Sequence, residues 1–246
     1  LGDVYKRQPS EKEISEVNSG IMAFKAKDLI RLLGKIKNNN KAKEFYLTDI
    51  VQEAHLEKLN IQSLSLSDTN EVLGCNTLEE LQALEKAYHI STAKKFLNRG
   101  VSFADIEQVK FRGNISIEKG AFIDENVIFE GTVLIGTNAK IGPGCIISNS
   151  EIGKNAELLA YSFVEESMLE SNAKAGPFAR VGVQTRMEEG AEIGNFVETK
   201  RSNIGANSKA KHLAYIGDGR IGKGVNIGAG TIFCNYDGVK KHITKI

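Results

Sequence analysis

Tryptophan is absent from the 246 residues, and proline, cysteine and methionine each occur only three times. Cys75, Cys145 and Cys234 lie far apart without a CxxC spacing, which excludes a disulfide framework and a cysteine-based zinc site. We therefore expect three free, buried thiols. No apolar run approaches the roughly twenty residues that span a bilayer, and no signal peptide is recognisable. The sequence predicts a cytoplasmic protein without membrane insertion.

The chain also lacks a dominant charge. Its 32 lysines and arginines nearly balance 31 aspartates and glutamates, which leaves a net charge of +1. A surface that neutralises many phosphates needs a clear excess of positive charge. Nucleic acid is therefore not expected as a partner.

Neither end of the sequence resembles a natural terminus. The chain starts at Leu1 rather than methionine, and a repeating pattern is still running at Ile246. Residues 3–8 read DVYKRQ, which resembles the translation of a transposon end used to prepare sequencing libraries. We expect residues 1–8 to be a sequencing artefact and the remaining chain to be truncated at both ends. Genomic DNA with a continuous native frame through these codons would contradict the first expectation.

From Ile117 onward, an apolar residue recurs every six positions, with occasional one-residue slips. A period of six fits neither a helix nor a single strand, but it fits coils in which each hexapeptide forms one face and neighbouring short strands pair in parallel. The 24 glycines and several asparagines suit the sharp corners. The pattern predicts a mainly β fold, a parallel β-helix over residues 100–246. The residues in register are Ile117, Ile123, Phe129, Ile135, Ile141, Ile147, Ile152, Leu158, Val164, Ala175, Val181, Met187, Ile193, Ile204, Ala210, Ile216, Ile221 and Ile227.

A helix is predicted just before the coils. It runs from a capping box of Thr77 and Glu80 to a stop at Gly100, and Leu81, Leu84 and Tyr88 lie on one face. We expect residues 79–99 to link two domains.

Upstream of this helix, residues 9–78 read as an α/β stretch. We predict a strand at 20–24, a helix at 28–36, a polar turn at the NNN of 38–40 and a helix at 48–58. So few strands cannot close a sheet of their own. The stretch is therefore expected to be the C-terminal remnant of a larger domain.

Six motifs resemble one bacterial family in order and from about residue 9 onward. They are EVNSGI at 16–21, NNNKAKEFYLTDIV at 38–51, GCN at 74–76, GNFVETK at 194–200, SKAKHLAYIGD at 208–218 and NIGAGTIFCNYDG at 226–238. The family is the bifunctional N-acetylglucosamine-1-phosphate uridyltransferase and glucosamine-1-phosphate N-acetyltransferase.

The resemblance implies an architecture and a pair of reactions. A nucleotidyltransferase domain, of which residues 9–78 would be the end, precedes a left-handed β-helix, although parallel crossovers are ordinarily right-handed. The β-helix acetylates glucosamine 1-phosphate with acetyl-CoA. The other domain couples the product to UTP with Mg²⁺, giving UDP-N-acetylglucosamine for peptidoglycan and lipopolysaccharide. The family is a homotrimer whose acetyl-CoA site lies between neighbouring β-helices, so we expect weak or no activity from a truncated chain.

Acetyl transfer to an amine needs a base, and His212 is the only one of the four histidines that lies in a polar motif of the repeat region. It matches the family's general base, although a lone histidine is more often structural. Lys200, Tyr215 and Asn226 match sugar-phosphate ligands, where the ordinary alternatives are a solvated lysine and a corner asparagine. Contacts to acetyl-CoA are implied for Ala229, Asn235 and Tyr236; a backbone N–H near Ala229 could polarise the thioester carbonyl, and Tyr236 could instead be plain packing.

Two asparagines match the other domain. Asn76 corresponds to a magnesium ligand and Asn18 to a contact with the UDP-sugar, whereas an asparagine at a helix start is ordinarily a cap. The nucleotide loop and the second metal ligand would lie upstream of this chain, which predicts no uridylyl transfer by the chain itself.

The segment PFARVGVQTR departs from the family at one position. Gly182 stands where the family has an arginine that binds the sugar phosphate. Arg180 or Arg186 could replace it from nearby, and the residues themselves do not decide between them.

Three alternatives to an acetyltransferase share this kind of coil. A carbonic anhydrase requires three histidine ligands gathered at a subunit interface, which this sequence does not offer. An ice-binding solenoid would show a regular Thr-x-Thr ladder, which is absent. A sugar nucleotidyltransferase whose β-helix serves only oligomerisation or regulation remains the non-catalytic alternative, and the role of His212 discriminates it.

Overall fold

A computed structural model describes residues 18–66 and 69–246; the expected artefact at residues 1–8 lies outside them. The chain divides into two compact units, Leu1–Leu84 and Glu85–Ile246. The division falls within the helix predicted to link two domains. That linking role, and the assignment of residues 9–78 to a larger domain, stay predictions.

The first unit is helical where it is described. It contains α1 (Ala26–Leu33), α2 (Asp49–Leu56), a 3₁₀ turn (Thr69–Val72) and the start of α3 (Leu78–Leu97). Both short helices predicted here are confirmed with ends shifted by one to three residues. Leu32, Ile50 and Ala54 form a small buried cluster. None of the helices in the described ranges carries an apolar stretch long enough to cross a bilayer.

The strand predicted at residues 20–24 is wrong. Within residues 18–66 and 69–101 the structure contains no strand at all. An extended segment becomes a strand only when a neighbour completes its hydrogen-bond ladder, and the described part of this unit offers none. The first described residues instead form a turn, in which the side-chain oxygen of Asn18 accepts the N–H of Gly20 at 2.9 Å.

The start and end of α3 follow the sequence prediction. Thr77 Oγ1 accepts the N–H of Glu80 at 3.1 Å, and Glu80 Oε2 accepts the N–H of Thr77 at 3.1 Å, which is the predicted capping box. The chain leaves the helix through Gly100 at φ +85°, where a side chain would be strained.

The predicted apolar face of α3 is wrong. Leu81 and Tyr88 are about half exposed, whereas His89, Ala93 and Phe96 are buried. The buried face is the one that closes the end of the first coil, where the rings of His89 and Phe96 lie 6.3 and 5.8 Å from that of Phe111. Apolar spacing did not predict this face, because one of its buried residues, His89, is polar.

The second unit is a parallel β-solenoid in which each strand pairs with the strand one coil further on. Ile117 pairs with Ile135 and Ile135 with Ile152, so one coil takes 18 residues and the next 17. The left-handed sense of winding stays a prediction. The strands are β1 (Ser102–Phe103), β2 (Lys110–Ile117), β3 (Phe122–Ile123), β4 (Ile128–Ile135), β5 (Lys140–Ile141), β6 (Ile146–Ser148), β7 (Glu151–Ile152), β8 (Glu157–Leu158), β9 (Phe163–Glu165), β10 (Met168–Leu169), β11 (Lys174–Ala175), β12 (Arg180–Val181), β13 (Arg186–Met187), β14 (Glu192–Lys200), β15 (Asn203–Ile204), β16 (Lys209–Gly217), β17 (Gly219–Ile221), β18 (Asn226–Ile227) and β19 (Thr244–Lys245).

The six-residue register is confirmed. Every register residue named from the sequence is buried, and the most exposed of them, Ile227, shows only 7% of its surface. Leu169, Thr199 and Phe233 are further buried members of the same columns, which the spacing alone had left out. These columns form one continuous core along the solenoid.

A second buried column, which was not predicted from the sequence, precedes most of the register residues by two positions. It holds small residues such as Ala121, Ala139 and Cys145. The expectation of free thiols is confirmed, but burial holds only for Cys145, since Cys75 and Cys234 are exposed. Burial raises the pKa of the Cys145 thiol to about 11, so this thiol stays protonated and unreactive.

One corner of the solenoid carries large apolar side chains in the left-handed backbone region. Tyr161, Phe178, Phe196 and Leu213 all have positive φ and are at least half exposed. The three rings stack at centroid distances of 5.4 and 5.8 Å. We call these four side chains the corner ridge. Bulky residues adopt this backbone region only where the surrounding structure enforces it.

The buried His89 makes the stability of the second unit depend on pH. Its Nδ1 accepts the N–H of Phe111 at 3.1 Å, so the ring must be neutral to keep this bond. Burial, aided by Lys110 and Arg112 and opposed by Glu85, lowers the pKa of His89. The unfolded chain, with a histidine pKa of about 6.5, therefore binds more protons than the folded chain between the two pKa values. The stabilisation is complete above the unfolded value and is lost as the pH falls through the folded one.

We expect the free energy of unfolding to fall on acidification below about pH 6.5, and to fall less in His89→Asn, whose side-chain oxygen can accept the same N–H without titrating. Denaturant unfolding at a series of pH values measures both. The exposed His55, changed to Asn, is the control and should follow the wild type. Parallel pH curves for the wild type and His89→Asn would contradict the prediction.

Candidate functional site

The predicted acetyl-transfer residues come from three successive coils. Lys200 lies on β14, His212 and Tyr215 lie on β16, and the remaining four lie on or just after β18. The first two strands are in register, with Lys200 opposite Gly217. Because parallel neighbours are about 4.8 Å apart, residues far apart in sequence become adjacent. The remaining four are Asn226, Ala229, Asn235 and Tyr236.

His212 lies at the exposed rim of β16 and is held by one side chain. Its Nδ1 is 2.8 Å from Oδ1 of Asn195, the residue opposite it on β14. The oxygen of an amide can only accept, so this contact places the proton on Nδ1 and leaves Nε2 with a free lone pair. A neutral imidazole oriented in this way can take a proton from a substrate. The sequence analysis missed Asn195.

Ala229 lies one coil beyond His212. Gly230 donates its N–H to the carbonyl of Leu213 at 2.7 Å, which places the exposed Ala229 turn against the His212 corner. In the described residues the N–H of Ala229 has no acceptor. This free N–H can stabilise negative charge that develops beside the imidazole.

Lys200 and Tyr215 share the next face of the coil. An ideal Cβ on Gly217, the partner of Lys200, would lie 2.5 Å from the Tyr215 hydroxyl and 2.6 Å from Nδ2 of Asn235. Gly217 is therefore the residue that permits this close approach. The exposed Lys200 forms no ion pair within the described part of the chain, so its charge is available to an anion.

Asn235 is buried and lies beside an ion pair that the sequence analysis missed. Arg201 donates to both carboxylate oxygens of Asp218, at 2.7 and 2.8 Å, and Asn235 donates to Oδ2 at 2.5 Å. Donation from Arg201, together with Asn235, holds the pKa of Asp218 at about 2. Their sequence separations, 17 residues each, are one coil length, which is the signal that could have revealed them.

The structure keeps Asn226 and Tyr236 at the edge of this group. Asn226 is exposed on β18 and pairs with Lys209. Tyr236 is 59% exposed, which excludes the packing role considered for it, and its hydroxyl donates to the carbonyl of Gly238 at 2.7 Å.

Gly182 has no room for the arginine that the family places there. An ideal Cβ would lie 2.5 Å from the carbonyl oxygen of Thr199. Arg180 lies on the face that carries Tyr215 but is engaged with Glu165 and lies 5.5 Å from the Phe163 ring. Arg186 pairs with Glu170 in a different column, so neither arginine stands free in the position of the missing one.

Asn18 and Asn76, the two asparagines predicted to serve uridylyl transfer, both lie in local turns. Asn18 caps the turn described above, and the N–H of Asn76 donates to Glu80 Oε2 at 2.6 Å. Within the described ranges no three His, Cys, Asp or Glu side chains lie close enough to hold a metal ion. The residues around Asn76 therefore do not by themselves fit a magnesium site.

A shallow groove of about 550 Å³ lies elsewhere on the solenoid, between Thr132 and Arg186. None of the predicted site residues lines it. The chemistry described above is exposed at a rim rather than enclosed in a cavity.

Residues 114–149 match the family described as bacterial transferase hexapeptide (six repeats). The match covers the coils in which the six-residue period is most regular. It supports the hexapeptide repeat and a transferase fold, and it ends before the site.

Several solved structures are similar to this chain. The UDP-N-acetylglucosamine acyltransferase of Francisella novicida is 13% identical with a TM-score of 0.39, over 53% of this chain and 59% of that chain. The acetyltransferase domain of PglB from Neisseria gonorrhoeae FA1090, in complex with acetyl coenzyme A, is 12% identical with a TM-score of 0.34, over 73% and 88%. The UDP-N-acetylglucosamine O-acyltransferase LpxA of Moraxella catarrhalis RH4 is 14% identical with a TM-score of 0.33, over 52% and 63%. The chain spans less than two thirds of the two UDP-N-acetylglucosamine acyltransferases.

The Asn195 contact predicts the tautomer of His212. We expect the neutral ring to carry its proton on Nδ1 in the wild type and to shift toward the Nε2–H form in Asn195→Ala, because the acceptor is lost. Imidazole ¹⁵N chemical shifts measure the populations. Asn203→Ala, which removes an asparagine on β15 that donates to Glu188, is the matched control. The same tautomer mixture in Asn195→Ala and the wild type would show that the contact does not hold the ring.

Proposed function

We propose that the second unit transfers an acetyl group from acetyl-CoA to the amine of glucosamine 1-phosphate, with His212 as general base. The observation that carries the proposal is the 2.8 Å contact between Asn195 and His212, with a free cation at Lys200 on the neighbouring face. The motif resemblance supports the identity of the substrates. The reaction would take place in the cytoplasm.

The chemistry assigns one role to each group. The amine nitrogen attacks the thioester carbonyl, and Nε2 of His212 accepts the proton that the nitrogen loses. The N–H of Ala229 stabilises the oxyanion until the carbon–sulfur bond breaks. Coenzyme A then leaves as the thiol by taking the proton from Nε2 of His212, which returns the imidazole to its neutral form.

The substrates divide between two faces. The Lys200 ammonium pairs with the phosphate of the sugar, while the Tyr215 hydroxyl and the Asn226 amide form hydrogen bonds with the polar groups of its ring. Asn235 and Tyr236 contact acetyl-CoA on the side of the last coils. With Gly182 in place of an arginine, Lys200 carries more of the phosphate recognition than it does in the family.

The corner ridge supports a homotrimer. Its four exposed apolar side chains run alongside the His212 corner, and apolar surface of this kind is ordinarily covered by a partner. A second copy of the chain would cover the ridge and enclose acetyl-CoA, which otherwise meets only an open rim.

Uridylyl transfer is proposed only for a longer protein that contains this sequence. The support is the likeness of the motifs around Asn18 and Asn76 to the family's UDP-sugar and magnesium contacts. The product of both steps would be UDP-N-acetylglucosamine, made from UTP with Mg²⁺. The described residues by themselves supply no site for the metal.

In a full-length protein, His212→Ala is expected to lower acetyl transfer by about 10²- to 10⁴-fold and to leave uridylyl transfer unchanged. Thiol release from acetyl-CoA with glucosamine 1-phosphate, and pyrophosphate release from UTP, measure the two reactions. The exposed His55, changed to Ala, is the control for acetyl transfer. Full acetyl transfer by His212→Ala would reject the base, and a wild type without acetyl transfer would favour the oligomerisation or regulatory module.

Phe196→Glu is expected to weaken self-association, because it introduces a charge into the centre of the corner ridge. Sedimentation velocity over a concentration series measures the oligomeric state. Phe122→Glu changes a partly exposed aromatic residue away from the ridge and should leave association unchanged. A Phe196→Glu protein that still forms trimers at the same concentrations would place the interface elsewhere.

A further inference from the structure

Asp218 lies at a corner of the solenoid, where its backbone φ is +51°. The residue is almost fully buried. Three hydrogen bonds reach it, two from Arg201 and one from Nδ2 of Asn235. A carboxylate can only accept, so the Asn235 amide must turn its NH₂ group toward Asp218. Its carbonyl oxygen, Oδ1, consequently faces away and accepts no hydrogen bond from the described residues.

Arg201 removes the electrostatic penalty of this arrangement. An isolated buried carboxylate would be costly and would repel a phosphate-bearing ligand. The bidentate guanidinium at 2.7 and 2.8 Å neutralises it. Because the pKa of Asp218 is held at about 2, the pair stays ionised at neutral pH. The orientation of Asn235 is thus fixed without adding net charge to the site.

The oriented amide adjoins the proposed substrate face. An ideal Cβ on Gly217 would lie 2.5 Å from the Tyr215 hydroxyl and 2.6 Å from the Asn235 nitrogen, so the two side chains are close neighbours. Lys200 lies opposite the same glycine. The Asn235 atom placed there is the amide nitrogen. The carbonyl oxygen Oδ1, bonded to the same carbon and without a donor among the described residues, lies on the side of the amide turned away from Asp218 and suits a ligand that presents an N–H group.

We propose that Asp218 is a positioning residue, which turns the Asn235 carbonyl oxygen outward so that it accepts a hydrogen bond from an amide N–H of the acetyl donor. Coenzyme A carries two such amides in its pantetheine arm. The inference rests on the proposed acetyl transfer for the nature of its ligand, while the orientation of Asn235 rests on the hydrogen bonds alone.

In a full-length protein, Asp218→Asn is the direct test, because it keeps the size of the side chain but no longer requires the NH₂ group of Asn235 to face it. We expect the KM for acetyl-CoA to rise about tenfold, as for one lost hydrogen bond. The kcat and its pH profile, which depend on His212, should change little. Asp218→Glu, which keeps an acceptor for both donors, should recover part of the loss in KM.

Glu188→Gln is the matched control, because Glu188 also accepts a side-chain amide, that of Asn203 at 2.8 Å, at a corner outside the site. It should leave the KM unchanged. A merely structural role for Asp218 would lower the thermal stability and the active fraction, and hence the apparent kcat, with the KM of the remaining enzyme unaltered. That outcome would overturn the proposal.

A second measurement does not depend on activity. The side-chain NH₂ signal of Asn235, assigned by its loss in Asn235→Ala, should exchange slowly with solvent in the wild type and quickly in Asp218→Asn. Fast exchange in the wild type would overturn the orientation. If the wild type shows slow exchange but no acetyl transfer, the proposed function fails while the orientation stands, so the two failures are distinguishable.

Discussion

The stacking of buried side chains in register is the constraint on which the rest of this structure depends. Each coil must bring its aliphatic residues directly over those of the coil before, since a solenoid has no other core. Ile135 lies between Ile117 and Ile152 in one such column. Parallel pairing then follows without long connections, and the backbone hydrogen bonds of one coil are completed by the next.

The same register places the outward-facing residues. A side chain on one coil has fixed neighbours one coil length before and after, so chemistry can be assembled from short segments. Asn195 and His212 are opposite each other for this reason, and so are Arg201 and Asp218. A single insertion between the members of a pair would move one of them out of register with the other, just as it would move the core residues of neighbouring coils out of their column. The site therefore depends on coil length as strictly as the core does.

The elements of the fold were predicted best from the sequence where a single physical requirement determines which residues occur. The six-residue period identified the core columns because burial is the only demand on those positions, and the capping box identified the start of α3 because it is local. The helix face was misplaced because His89 is polar yet buried. The strand at 20–24 failed because pairing is not a local property, and Cys234 was placed inside on composition alone.

The site was partly predictable for the same reasons. His212 stood out by residue type and motif, whereas Asn195 and Asp218 required knowledge of the coil length. That length is 18 residues in some coils and 17 in others, so it cannot be read from a strict period. A search for polar residues that recur in phase over successive coils would have found both.

The contrast between the enclosed Cys145 and the exposed Cys234 has a practical consequence. Cys234 directly precedes Asn235, so a reagent that captures sulfhydryl groups meets the protein at the rim where the acetyl donor would sit. In a colorimetric assay of released coenzyme A, the thiol reagent would also react with Cys234. This reaction would consume reagent, and the attached group would block the rim during the measurement. A serine at position 234 would remove both effects. In a protein that retains Cys234 and carries serine in place of the exposed Cys75, the rim would be a selective attachment point for spectroscopic labels.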